Sequence, residues 1–135
     1  MTTRATGPFD VKLAPESLST VAAATGLGRM SLDKTFHGEL AATSQGEMLS
    51  AMGGVKGSAG YVAMERVTGT LHGRRGSFVL QHTGVMDRGA PSLVVNVVPD
   101  SGTDELTGLT GTMSIHVDGK AHSYVFDFTL PELSV

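Results

Sequence analysis

Strand-like alternation, in which every second residue is apolar, constrains the fold of this chain more than any other feature. It is clearest in YVAMERVTGTL (residues 61–71) and SFVLQHTGVM (77–86), which are separated by the loop HGRRG with its two glycines. Two alternating runs joined by a short glycine-containing loop are the usual signature of a β-hairpin. The middle of the chain is therefore predicted to form an antiparallel hairpin.

Six further extended segments follow the same pattern. They span residues 9–13, 29–43, 45–52, 92–98, 106–117 and 121–130, mostly with short connections. The 18 glycines disfavour long helices, because glycine inside a helix costs about 1 kcal/mol relative to alanine. A set of about eight strands must protect its sheet edges, and closure into a barrel is the common solution. The prediction is an all-β, closed antiparallel eight-stranded barrel, with a two-sheet sandwich as the main alternative.

Composition limits what such a barrel can do. A chain of 135 residues fits one domain, so residues 1–135 are predicted to form a single barrel domain. The absence of cysteine excludes a disulfide framework and a thiolate metal site. A net charge of -3 without a basic run argues against nucleic-acid binding. The sequence shows neither a signal-peptide core nor a membrane span, so a cytoplasmic protein without a membrane partner is expected.

Several segments of the chain resemble an uncharacterised bacterial family. ERVTGTLHGRRGSFVLQHTG, VVPDSGTDELTGLTGTMSI and YVFDFTLPE, with KTFHGELAATSQGEMLSA upstream, are similar in order and spacing to the family known as domain of unknown function 3224. The resemblance covers roughly residues 7–131 and implies an allene-oxide-cyclase-like, calycin-like barrel. It implies no catalytic residue. Related barrels guide cyclisations or isomerisations of hydrophobic small molecules in their lumens, so such a reaction is an expectation by fold analogy alone.

The candidate site depends on which face of the 61–86 hairpin points into the barrel. If the hairpin is symmetric about Arg74, Glu65 lies opposite Thr83 and Arg66 lies opposite His82. Neither face is plainly the solvent face, because both carry apolar residues. The sequence therefore leaves two alternative sets of residues for the lumen.

One set consists of Tyr61, Glu65 and Gln81, which are sparse polar groups among aliphatic residues, as in a ligand pocket. Desolvation in such a pocket would raise the pKa of Glu65 and suit it to general acid or base catalysis. We therefore predict Glu65 as catalytic and Tyr61 and Gln81 as ligand-binding. A purely structural ion pair of Glu65 with a neighbouring Lys or Arg is the alternative.

The other set consists of Arg66 and His82, which could bind a ligand carboxylate or form a cross-strand pair on the barrel wall. His37 and Glu39 are also predicted to bind ligand, because they share one face of the second alternating run. A solvated strand face is the alternative for these two residues.

Metal and cofactor binding are not predicted. His116 and His122 flank the turn at Asp118 and Gly119, but two histidines without an assured carboxylate are a weak metal signal. The chain also lacks the glycine-rich patterns that lead into a nucleotide-binding helix.

Three functions fit these expectations. The first is a barrel that binds a hydrophobic or amphiphilic small molecule in its lumen and isomerises or cyclises it. The second is a non-catalytic carrier that uses the same cavity. The third is an interaction module whose barrel is filled by its own side chains. A homodimer is expected in each case, because apolar residues occur on both faces of the central hairpin.

Overall fold

The computed structural model describes residues 2–132, which form a closed antiparallel barrel of eight strands in sequential order. The strands are β1 (Thr3–Glu16), β2 (Gly28–Phe36), β3 (Leu40–Met52), β4 (Ala59–Leu71), β5 (Arg74–Asp87), β6 (Ala90–Val97), β7 (Thr110–Asp118) and β8 (Ala121–Thr129). One short 3₁₀ turn, Asp104–Leu106, lies between β6 and β7. The predicted fold class is confirmed. An eight-stranded barrel has an interior that side chains can fill or that can hold one small ligand.

The predicted boundary between the second and third strands is wrong. The alternating run over residues 29–43 is divided by a turn at residues 37–39, and β3 then extends without a break from Leu40 to Met52. Gly38 adopts a φ of 89°, a conformation that suits glycine in a tight turn. Gly38 therefore marks the end of β2.

The turn of the central hairpin is also displaced from the predicted centre. It consists of His72 and Gly73, with φ of 48° and 77°, and Leu71 pairs with Arg74. Positive φ at both positions is the type I′ geometry that matches the twist of the flanking strands. Glu65 consequently lies opposite Leu80 rather than Thr83, and Arg66 lies opposite Val79 rather than His82. Both predicted pairs are therefore wrong, because every residue of β4 pairs three positions earlier on β5 than predicted.

One end of the lumen, which we call the closed end, is filled by large side chains. The buried residues there include six aromatic rings, and these rings lie next to one another in the pairs Phe9–Phe36, Phe36–Tyr124, Phe78–Phe126 and Phe126–Phe128. The hydroxyl of Tyr124 donates to the carbonyl of His37 at 2.6 Å and accepts from the backbone N–H of Leu40 at 2.9 Å. Tyr124 thereby ties β8 to the β2–β3 turn.

The loop between β6 and β7 covers the closed end. Leu106 and Leu109 insert into the core, and Thr103 donates its backbone N–H to the carbonyl of Ser77 at 2.9 Å. The Thr103 hydroxyl oxygen accepts from the backbone N–H of Ser77 at 3.0 Å. The loop therefore forms hydrogen bonds with backbone groups of β5 that lie beyond the end of β6. Within the described residues, Asn96 with Thr112 is the one pairing between β6 and β7.

Candidate functional site

The register of the central hairpin places Glu65 and His82 on the same inner face of the barrel. On β4 the buried positions include Ala63, Glu65 and Val67, and on β5 they include Leu80 and His82. Alternate residues of a strand point to the same side of a sheet. Glu65 and His82 were predicted to lie on opposite faces of the hairpin, so that only one of them would face the lumen. The structure places both on the lumen face.

A cluster of four polar side chains, Lys34, Ser44, Glu65 and His82, lies midway along the lumen. Lys34 Nζ is 2.8 Å from Glu65 Oε2, the Ser44 hydroxyl donates to Oε1 at 2.7 Å, and His82 Nε2 is 2.5 Å from Oε2. Lys34 is 5%, Glu65 1% and His82 3% exposed. The buried carboxylate of Glu65 is therefore hydrogen-bonded through both of its oxygens, as a buried charge requires.

Lys34 also contacts the aromatic side chains of the closed end. Its Nζ lies 5.2 Å from the ring centroid of Phe9 and 5.7 Å from that of Phe36. A desolvated ammonium group is attracted to the face of an aromatic ring at such distances. The buried polar cluster therefore rests directly on the filled half of the lumen.

The carboxylate of Glu65 is held in its ionised form. Burial alone would raise its pKa, but the hydrogen bond with His82 and the positive charge of Lys34 outweigh burial and lower the pKa to about 2. The predicted rise of the pKa is thus wrong, and the alternative of an ion pair with a lysine describes the surroundings of Glu65. At neutral pH Glu65 is a permanent anion and has no proton to give to a substrate.

The other end of the lumen, which we call the mouth, is open. A cavity of about 380 Å³ lies there between β3 and β6. It is lined mainly by apolar residues: Met48, Ala59, Gly60, Tyr61, Gly84, Val85, Met86, Pro91 and Leu93, with Ser50 and Ser92. Ligand pockets are commonly of this size and of this apolar character.

Tyr61 connects the mouth cavity to the buried polar cluster. It is half-buried, and its ring centroid is 6.4 Å from that of His82. Gly84, which pairs with Tyr61 across the hairpin, makes room for the ring, since a Cβ atom there would lie 2.2 Å from a ring carbon. Burial and the negative charge of Glu65 raise the pKa of Tyr61, so its hydroxyl keeps its proton.

Gln81 and Arg66 do not face the lumen. Both side chains are exposed and belong to the outward-facing positions of β5 and β4. Gln81 lines a second cavity, of about 430 Å³, on the outer wall near the contact between β6 and β7. The predicted roles of these two residues toward a lumen ligand therefore lose their geometric basis.

His37 and Glu39 lie in the β2–β3 turn outside the closed end, not on a strand. His37 Nε2 is 3.0 Å from Asp10 Oδ2, and Glu39 Oε2 is 3.0 Å from His72 Nε2. Glu39 also accepts from the backbone N–H of Thr6 at 3.0 Å, and this hydrogen bond is the largest cause of its lowered pKa. The prediction that they share a strand face is wrong, and neither residue lines the mouth cavity.

His116 and His122 lie on opposite faces of the β7–β8 hairpin, because His116 pairs with Ser123 and Val117 pairs with His122. Between residues 2 and 132 the structure contains no group of three His, Cys, Asp or Glu side chains placed to hold a metal ion. In the same range no helix is long and apolar enough to cross a membrane.

Sequence reasoning missed Lys34 and Ser44. A signal for Lys34 was present, since it alternates with Leu32 and Phe36 and so occupies an inner position of β2. Ser44 likewise alternates with Leu40 and Ala42 on β3. A lysine on an inner face of a barrel needs a buried partner of opposite charge. A serine on the next strand can donate a further hydrogen bond to that partner.

The fold and the buried polar cluster define a class of protein: a small closed β-barrel whose lumen is half filled, with an ion pair at its middle and a cavity at one end. The family model described as "Protein of unknown function (DUF3224)" matches residues 5–128, and the chain belongs to this family. This confirms the predicted resemblance.

A solved structure supports the same assignment. The chain is similar to a crystal structure of a DUF3224 family protein of unknown function from Shewanella oneidensis MR-1, with 57% identity and a TM-score of 0.89. The match covers 98% of this chain and 100% of the other. No curated protein matches the chain.

Proposed function

We propose that this protein binds one hydrophobic or amphiphilic small molecule in the mouth cavity. The observation that carries the proposal is an apolar cavity of about 380 Å³ that lies on the lumen side of the barrel wall. An apolar pocket with a few polar groups at one end is the common form of a small-molecule site. Tyr61, Ser50 and Ser92, which line the cavity, supply those polar groups.

The lining of the cavity suits an adaptable fit. Met48 and Met86 contribute flexible thioether side chains, which adjust to ligands of different shape. Leu93 is 41% exposed although it lines the cavity, so it has apolar surface that a ligand would cover. The third expected function, a barrel filled by its own side chains, describes the closed end only.

The proposed binding is tested by titration with N-phenyl-1-naphthylamine, an uncharged probe whose fluorescence rises in apolar surroundings. Ala59 lines the cavity and Thr68 is exposed on the same strand, so Ala59→Phe fills the site and Thr68→Phe is its matched control. We expect Ala59→Phe to weaken binding by about tenfold or more, equivalent to at least about 1.4 kcal/mol. Absence of binding to the wild type, or an equal effect of both variants, would overturn the proposal.

Isomerisation or cyclisation of the bound molecule is a second proposal for the same cavity, favoured by the Glu65–His82 pair next to Tyr61. The acid or base would be the imidazole of His82, with Glu65 as the residue that positions it. A single-turnover assay on a co-purified ligand distinguishes the two functions. A carrier returns the molecule unaltered, whereas an isomerase changes its mobility on chiral chromatography.

We also propose that the protein is a homodimer, as the sequence suggests. Apolar side chains at outward positions of neighbouring strands remain exposed, including Leu49, Val62, Met64, Val85 and Val94. Contiguous apolar surface of this kind is typical of an interface. Native mass spectrometry of the purified protein reports the subunit number and any retained ligand together, and a monomer at micromolar concentration would contradict the dimer.

A further inference from the structure

The side chain of Tyr61 lies inside the barrel, with its hydroxyl end at the wall of the mouth cavity. Gly84 alternates with the buried His82 along β5, so a Cβ atom at Gly84 would point into the lumen. Such an atom would lie 2.2 Å from Cε1 of Tyr61 and 3.0 Å from Cζ, the carbon that carries the hydroxyl. Tyr61 and Gly84 both line the cavity. The ring of Tyr61 therefore covers Gly84 on the lumen side, and its hydroxyl projects at the cavity wall.

The hydroxyl of Tyr61 is available to a ligand. Among residues 2–132 it has no hydrogen-bond partner, whereas no fully enclosed polar side-chain atom in that range lacks one. The hydroxyl is therefore not fully enclosed, and the open space on the lumen side of Gly84 is the mouth cavity. Because burial and the negative charge of Glu65 raise the pKa of Tyr61, the hydroxyl is protonated at neutral pH and can donate a hydrogen bond.

The mouth cavity offers no counter-ion to a charged ligand. Of the described residues that line it, none is Asp, Glu, Lys, Arg or His. Lys34 in the buried polar cluster is already paired with Glu65 at 2.8 Å. A ligand carboxylate in the cavity would lose its water of hydration without gaining a partner of opposite charge, which is costly. The lining therefore favours a ligand whose polar end is uncharged.

We propose that the Tyr61 hydroxyl recognises a carbonyl group of the ligand by donating a hydrogen bond to it. The ligand class is then an uncharged apolar molecule with a ketone, aldehyde or ester group, rather than a pure hydrocarbon or a fatty acid. Gly84 is a positioning residue, because the ring reaches its place only where a side chain is missing. Ser50 is turned away toward β2, since its Oγ lies 2.8 Å from the Cβ position of Gly28. This inference rests on the proposed binding function and adds the chemical class of the ligand.

Two probes of similar shape test the recognition: 2-acetylnaphthalene, which has a ketone, and 2-isopropenylnaphthalene, which has a methylene group in place of the oxygen. Displacement of N-phenyl-1-naphthylamine measures the affinity of each. The preference for the ketone, relative to the wild type, should fall by about 3- to 10-fold in Tyr61→Phe, the range for one neutral hydrogen bond. Tyr124→Phe makes the same change at the closed end, so it is the matched control and should keep the wild-type preference. Gly84→Ala retains the hydroxyl but displaces the ring, so it should lower the preference as Tyr61→Phe does.

Infrared difference spectra provide a readout that a loss of packing alone would not change. The carbonyl stretch of bound 2-acetylnaphthalene, identified by a ¹³C label, should lie at a lower frequency in the wild type than in Tyr61→Phe, because accepting a hydrogen bond weakens the C=O bond. 2-Naphthoate, the charged analogue, should bind the wild type about tenfold or more weakly than the ketone.

The outcomes separate the two proposals. If neither the ketone nor 2-isopropenylnaphthalene binds the wild type, the binding function itself fails. If both bind, but the preference and the carbonyl frequency are the same in the wild type and Tyr61→Phe, only the recognition by Tyr61 fails. An unchanged preference in Gly84→Ala would overturn the positioning role of Gly84, and binding of 2-naphthoate as tight as that of the ketone would overturn the uncharged ligand class.

Discussion

The two ends of the lumen are built from the same strands but perform different tasks. At the closed end Leu71 is 0% exposed and packs among aromatic rings, whereas at the mouth Leu93 points into the same lumen and is 41% exposed. The buried polar cluster separates the two halves. The closed end stabilises the fold by removing apolar surface from water, and the mouth leaves such surface available for a ligand.

This contrast shows how a small barrel can combine stability with a cavity. A chain of this size forms a single core, and a wholly open lumen would leave it short of buried apolar surface. Concentrating the aromatic residues at one end leaves methionine, alanine and glycine for the other.

The largest loss of stability is expected when the buried polar cluster, which lies between the closed end and the mouth, is disrupted. Glu65→Leu leaves the Lys34 ammonium buried without its counter-ion, which typically costs about 3–5 kcal/mol in the free energy of unfolding. Combining it with Lys34→Met removes the charge and should recover most of the loss, because an apolar pair can replace a buried ion pair. Urea denaturation of the single and double variants measures both values. A double variant as unstable as Glu65→Leu would show that the ion pair is not the cause.

Replacing one leucine at each end by alanine compares the contribution of the two ends to stability directly. Leu71→Ala creates a cavity in the closed end and should cost about 2–5 kcal/mol. Leu93→Ala removes a half-exposed side chain and should cost less than about 1 kcal/mol, while changing the affinity for N-phenyl-1-naphthylamine. Thermal and urea unfolding measure the stabilities. Equal losses at the two positions would contradict the division of the lumen.

Lowering the pH should weaken the interactions of the buried polar cluster before it affects the packing of either end. The pKa of Glu65 is about 2 in the folded protein, below the ordinary value of about 4.3 in an unfolded chain. The stabilisation, on the order of 3 kcal/mol, is therefore complete above pH 4.5 and is lost as the pH falls toward 2. Unfolding free energies between pH 6 and 2 should show this decline in the wild type and a smaller one in Glu65→Leu combined with Lys34→Met.

A smaller effect than that of Leu71→Ala is expected for removal of a single hydroxyl group at the closed end. Tyr124→Phe keeps the ring but leaves the backbone N–H of Leu40 and the carbonyl of His37 without their buried partner. The loss should be about 1–3 kcal/mol. Probe binding at the mouth should be unchanged, and a change in affinity there would show that the two ends are coupled.

The fold could be predicted to a large extent from local patterns. Alternation and turn residues indicate eight strands, and closure follows from the need to protect their edges. Glu65, which lies at the centre of the buried polar cluster, was predicted to face the lumen as one of two alternatives. The boundary at residues 37–39 was missed, because alternation runs through FHGEL without a break.

The pairing within the site could not be predicted, because it depends on the position of one turn. A shift of the hairpin centre from Arg74 to the His72–Gly73 turn changes which residues of β5 share a face with Glu65. Side chains alternate with a period of two, so such a shift exchanges the inner and outer faces of a whole strand. Gln81 was therefore predicted to share a face with Glu65 and His82 to lie on the other face, which is the reverse of their positions.

By itself the sequence determined the number of strands, their order and the position of a carboxylate within an alternating strand, since these depend on residues adjacent in the chain. Only the tertiary structure decided the surroundings of that carboxylate. Lys34, Ser44 and His82 come from three other strands, and their charge and hydrogen bonds reverse the effect of burial on the pKa of Glu65. The physical reason is that electrostatic interactions depend on distances across the lumen, which the register of strands far apart in sequence sets.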